Sequence, residues 1–99
     1  MYKVIILQSA NQDVKDATEW YEKKQKGLGK RFLFQIRHKL KLLRKDSFSA
    51  AIRFNDTRTA VLDIFPFMIH YKIDEINKLL TISAILHTTR NPGIWKSEI

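Results

Sequence analysis

The half of the chain from Arg58 to Trp95 limits the fold most. Two segments in it, FPFMIHYKID and KLLTISAILH, alternate with a period of two. Such alternation suits a pleated strand with one face toward a core, not a helix. In Phe67 to Asp74, the residues Phe67, Ile69, Tyr71 and Ile73 share one face. Met68, His70, Lys72 and Asp74 share the other. In Lys78 to His87, the alternation sends Leu80, Ile82, Ala84 and Leu86 inward and Thr81, Ser83, Ile85 and His87 outward. Ala60, Leu62 and Ile64 form one face of a further strand from Arg58 to Phe65, and Ile52 to Asn55 is a short one. Asp56-Thr57 reads as a turn and Glu75 to Asn77 as a hairpin loop. Pro66 cannot donate to a ladder, so it marks a bend between strands.

The first half has a different period. Tyr2 to Gln8 is an apolar run that reads as a strand buried on both faces, hence central or covered by helices. Ser9 is a candidate N-cap, with Asn11 competing. Ala10, Val14, Ala17 and Tyr21 then fall on one stripe of a helix reaching about Gln25, and Trp20 broadens it. Gly27-Leu28-Gly29 permits a tight turn. A second helix follows, with Phe32, Ile36, Leu40 and Leu43 as its buried stripe and Leu33 and Leu42 widening it; Asp46-Ser47 ends it. Helices joined by so short a link form an antiparallel hairpin. The order is β-α-α-β-β-β(-β). It predicts a single α+β domain over residues 1–99, with a helical hairpin packed on one face of a small, mainly antiparallel sheet.

Charge narrows the class of partner. The net charge is +8, and Lys23 to Lys45 holds ten Lys or Arg residues with no acid. Lys30, Arg31, Arg37, Lys41 and Arg44 form the predicted basic surface. It suits a solvated helix face or an acidic partner: nucleic acid, a ribosome, an anionic membrane or an acidic protein. The chain has no cysteine, which excludes disulfides, thiolate chemistry and Cys-based zinc sites and suits a cytoplasmic protein. The apolar run at the N-terminus is too short for a signal-peptide core or a membrane span.

The outward sheet face carries His70, Lys72, Thr81, Ser83 and His87, with Met68 and Ile85 among them. No further segment is left to cover it, so it is expected to be an open docking face. No carboxylate or thiolate stands at ligand spacing to the histidines, and neither HExxH nor a Walker loop is present, so no metal or cofactor is expected. Attack of an RNA 2′-hydroxyl on its own phosphate needs only a base, an acid and cations. Arg58, His70, His87 and Arg90 are the candidates, with Lys72 beside them. Each also has a structural reading: strand histidines, an Arg that pins the tail, and Trp95 as a tail anchor.

These pieces together resemble the RelE/ParE superfamily of type II toxins. The similarity lies in Asp16-Ala17 and Trp20-Tyr21, Gly27-Leu28-Gly29 before Phe32, Arg58, the block from Phe65 to Tyr71, and the closing pattern Ile85-Leu86-His87-x-x-Arg90-x-Pro92-x-x-Trp95. The tail and the FPF-x-IHY block look more like the ParE branch. The resemblance implies a plasmid-stabilisation toxin neutralised by a cognate antitoxin, with which it forms a hetero-oligomer. For ParE-like members it implies a target such as DNA gyrase. For RelE-like members it implies metal-independent, ribosome-dependent mRNA cleavage, in which Arg58, His87 and Arg90 would fill part of the pattern; the terminal tyrosine of that branch has no counterpart. Under either reading, Met68, Lys72, Ile85, Arg90 and Trp95 are the expected target- or antitoxin-binding residues.

Overall fold

A computed structural model describes residues 2–88. Arg90 and Trp95, both expected at the site, lie outside the described residues. The chain runs β1 (Lys3–Ile6), α1 (Gln8–Lys24), α2 (Leu28–Lys45), β2 (Ile52–Phe54), β3 (Thr57–Val61), β4 (Phe67–Asp74) and β5 (Leu79–His87). The strands form one sheet in the order β1-β5-β4-β3-β2. Its later strands pair antiparallel, whereas β1 pairs parallel with β5. The expected α+β architecture is therefore present, with a mixed sheet.

β1 is an edge strand and is not buried on both faces as its composition suggested. Lys3 and Ile5 are exposed, and Val4 and Ile6 are half-buried. Nor does Ser9 cap α1. The cap position is Leu7, and Ser9 lies inside the first turn with its hydroxyl donating to the Ser83 carbonyl at 3.0 Å. The long connection from β1 back to parallel β5 carries the whole helical hairpin.

The core lies between that hairpin and one sheet face. Ala10, Ala17 and Tyr21 of α1 and Phe32, Ile36 and Leu43 of α2 pack with Ala60, Ile69, Tyr71, Leu80 and Ile82. An aromatic knot ties the layers together. Phe32, which has no exposed surface, lies 5.2 Å from Tyr21, 5.3 Å from Phe65 and 5.0 Å from Phe67, ring centre to ring centre. The predicted core stripes hold except at their edges. Trp20, Leu42 and Ile64 are exposed, Ile64 because β3 stops at Val61 and the Leu62 N–H closes a turn onto the Phe67 carbonyl.

The hairpin turn is fixed by glycine and one carboxylate. Gly27 takes φ 87°, which disfavours any side chain, and the Glu22 carboxylate accepts the N–H groups of Gly27 and Gly29 at 3.0–3.1 Å. The start of α2 is thus capped from the end of α1. A Cβ at Gly29 would stand 2.8 Å from the Thr18 carbonyl oxygen. Gly29→Ala should therefore destabilise the domain by about 1–2 kcal/mol in urea titrations, because overpacking outweighs the helix propensity that alanine adds. Unchanged or increased stability would contradict this close approach.

A bulge in β5 decides which side chains face which way. His70 pairs with Ala84 but Tyr71 pairs with Ile82, so Ser83 is an extra residue. Beyond it the alternation changes phase. Ile85 turns into the core at 1% exposure, and His87 packs edge-on against Phe67 at 5.2 Å. Ala84 and Leu86 take the opposite face beside Met68 and Phe54. The expectation that Ile85 and His87 face outward, with Ala84 and Leu86 inward, is therefore reversed.

Candidate functional site

The catalytic candidates are not gathered on one face. Arg58 stands opposite Tyr71 in the β3–β4 ladder, on the helix side. It donates through Nη1 to the Ala50 carbonyl at 2.6 Å and covers the Phe48 ring at 4.9 Å. Both contacts hold the segment between α2 and β2, as does the Tyr71 hydroxyl donating to the Ser47 carbonyl at 2.7 Å. His70 projects from the other side of β4, next to Thr59 of β3, with Oγ1 and Nδ1 3.4 Å apart. His87 is back on the helix side.

The outward face is also less open than expected. Met68 is 4% exposed, His70 2% and Leu86 3%. Lys72 is exposed and Thr81 half-buried, so only that end of the face meets the expectation. Burial, with the nearby Arg53 guanidinium adding to it, lowers the His70 pKa to about 4. His70 is thus neutral at physiological pH, and its ring is screened from solvent.

A groove on the helix side brings other residues together. β1 pairs with β5 only from Leu79 to Ile82. Past that point α1 takes over the β5 edge. The Leu7 N–H donates to the Ile82 carbonyl, the Ser9 hydroxyl to the Ser83 carbonyl, and the Ile85 N–H to Asp13 Oδ2, each at 3.0 Å. Ser9, Asp13, Asp16 and Trp20 follow one another at three- and four-residue spacing, so one stripe of α1 faces the end of the sheet. Between them opens a groove of about 240 Å³, walled by Trp20, Ala17, Phe67 and His87 and carrying Asp13 and Asp16. Trp20 is 55% exposed, and Lys24 Nζ lies 4.7 Å from the centre of its ring.

Aromatic walls with two carboxylates suit an apolar or cationic side chain from a partner. Sequence reasoning placed Trp20 in the helix stripe but not at a site. The available signal was an indole at the stripe's edge, one and two turns from two acids in a basic chain.

Lys30, Arg31, Arg37, Lys41 and Arg44 are all exposed on α2. Arg44 also donates through Nε to the Tyr2 carbonyl at 2.9 Å. Among the described residues, no group of three His, Cys, Asp or Glu side chains is arranged to hold a metal. No described helix is long and apolar enough to cross a membrane.

Comparison with known proteins gives a consistent result. A family model described as the ParE toxin of the type II toxin–antitoxin system parDE matches residues 4–92. No curated protein sequence matches the chain. Among solved structures, a chain of the chromosomal ParDE system from P. aeruginosa is similar with a TM-score of 0.71 at 19% identity, over 88% of this chain and 96% of that one. The isolated E. coli RelE toxin gives 0.68 at 11% identity, over 98% and 95%. A chain of the RelBE2 toxin–antitoxin complex from Mycobacterium tuberculosis gives 0.63 at 12% identity, over 87% and 96%. At these identities the structures support the fold.

Proposed function

The chain belongs to the ParE toxin family of type II toxin–antitoxin systems, and we propose that it arrests growth by binding an essential protein, with DNA gyrase the first target to test, until a cognate antitoxin covers it. One observation carries the binding reading over a nuclease. The candidate catalytic residues are divided between the two sheet faces: the imidazole of His87 and the charge-stabilising Arg58 are on the helix side and the imidazole of His70 is on the other. His70 has in addition lost the pKa a general base needs near neutral pH.

The groove under Trp20 is the proposed antitoxin contact. It offers a half-exposed indole as an anchor of the kind that dominates binding energies. The antitoxin segment should be acidic overall, to match the +8 chain, and should place an apolar or basic side chain against Trp20.

Inducing the gene alone should stop growth, and co-inducing its neighbouring gene should restore it. Purified protein should block DNA supercoiling by gyrase and leave translated mRNA intact. Site-specific mRNA cleavage on ribosomes with supercoiling untouched would replace this reading with the RelE-like one. Trp20→Ala should keep the fold and weaken antitoxin binding by about 2 kcal/mol, roughly thirtyfold in Kd. Equal affinity in a titration would remove the groove from the interface.

A further inference from the structure

The outer face of α2 is not used by the groove, and we infer that it is a docking surface for the phosphate backbone of duplex DNA. This goes beyond the proposed function and does not depend on gyrase being the target.

Lys30, Arg37, Lys41 and Arg44 lie at intervals of seven, four and three residues, so they run down one side of the helix. From first to last they span about 21 Å. Among the described residues, no carboxylate pairs with Lys30, Arg37 or Lys41. The ten cations of Lys23 to Lys45, with no acid between them, make this the most positive part of the molecule. Acids are segregated elsewhere: Asp13 and Asp16 line the groove, and Glu22 is turned into the hairpin cap.

The shape selects among polyanions. The groove described above lies between α1 and the β4–β5 end of the sheet, whereas α2 is a helix with one side exposed along its length. A helix with its side chains is about 10–12 Å across, close to the roughly 12 Å width of the B-DNA major groove. The deep, narrow major groove of duplex RNA does not admit it. An acidic peptide is best held in a cleft, and the clefts described among residues 2–88 are lined by α1, β4 and β5. Phe34, 63% exposed and stacked on His38, stands within the basic face and contributes no charge.

The test is fluorescence anisotropy of the full chain on a labelled mixed-sequence 20-bp duplex from 50 to 300 mM salt. Four phosphate contacts predict a log–log salt slope of about −4. Lys30→Gln, Arg37→Gln and Lys41→Gln together should flatten the slope by about 3 and weaken binding at least tenfold, and each alone should flatten it by about 1. Arg44 is left intact because it also holds Tyr2. Phe34→Lys should steepen the slope by about 1. Matched changes on the sheet side, Lys3→Gln, Lys72→Gln and Lys78→Gln, should leave it unchanged. Circular dichroism checks that each variant is folded, and the single variants and Phe34→Lys serve if the triple variant is not. The inference is overturned by no binding at 50 mM salt, by an equal loss in the sheet-side control, or by duplex RNA, polyglutamate or anionic vesicles being bound as tightly as DNA.

Discussion

Phe32→Ala should cost about 3–5 kcal/mol of folding stability, the range for emptying a fully buried aromatic site. A domain of this size has roughly 5–15 kcal/mol in total. Among the described residues, Phe32 is the side chain of α2 whose ring meets Tyr21 of α1, Phe67 of the sheet and Phe65 of the bend between β3 and β4. Those rings are held by helix, bend and strand backbone and cannot close the gap together. Urea unfolding of the variant should show a much lower midpoint at an unchanged slope. Growth arrest should weaken in parallel, although Phe32 touches no partner surface, because the folded population falls. A midpoint within error of the parent would mean that the helical hairpin does not depend on this knot.

Acid should destabilise the domain through His70. Above its ordinary value of 6.5 the imidazole is neutral in both folded and unfolded chains, and pH has no effect through this group. Between 6.5 and about 4 the unfolded chain takes up a proton that the folded chain refuses, so stability falls as pH falls. Below about 4 both states are protonated and the loss levels off. The total is on the order of 3 kcal/mol, of which about 2 is lost by pH 5. His70→Gln should remove this part of the pH dependence whatever it does to absolute stability. The comparison is therefore the difference in unfolding free energy between pH 7.5 and pH 5 for each protein. A parent that loses no more than the variant would mean that His70 protonates freely in the folded state, which its burial between Thr59 and Phe54 argues against. The same screening makes His70 a poor general base, so its pH response is expected in stability.

Much of the fold is legible without coordinates because two kinds of pattern are strong. The period of two in β4 and β5 and the apolar stripes of α1 and α2 reflect geometry that each element imposes on itself. The basic run from Lys23 to Lys45 is likewise local, and its exposed residues stay exposed. The resemblance drawn from motif order agrees with the family match over residues 4–92.

The misplacements share a cause. Around Ser83, the run Ile82-Ser83-Ala84-Ile85-Leu86 has apolar residues in both phases of the alternation. Either phase is therefore acceptable to the sequence. The bulge selects one, because Asp13 and Ser9 of α1 bond the β5 backbone just where β1 ends. That selection buries Ile85, moves His87 to the helix side and parts it from His70. The edge position of β1 has a similar reason, since an apolar run does not say whether a strand lies at the centre or the edge of a sheet.

The sequence by itself determined the order of elements, the helical hairpin with its glycine turn, the excess of positive charge and the family. Tertiary structure alone decided which residues meet. A β1 shorter than β5 left an edge for α1 to cap, and that capping turned Trp20, Phe67 and His87 toward two aspartates. Contacts between elements distant along the chain depend on strand length and register, and neither is written in the local pattern of any one segment.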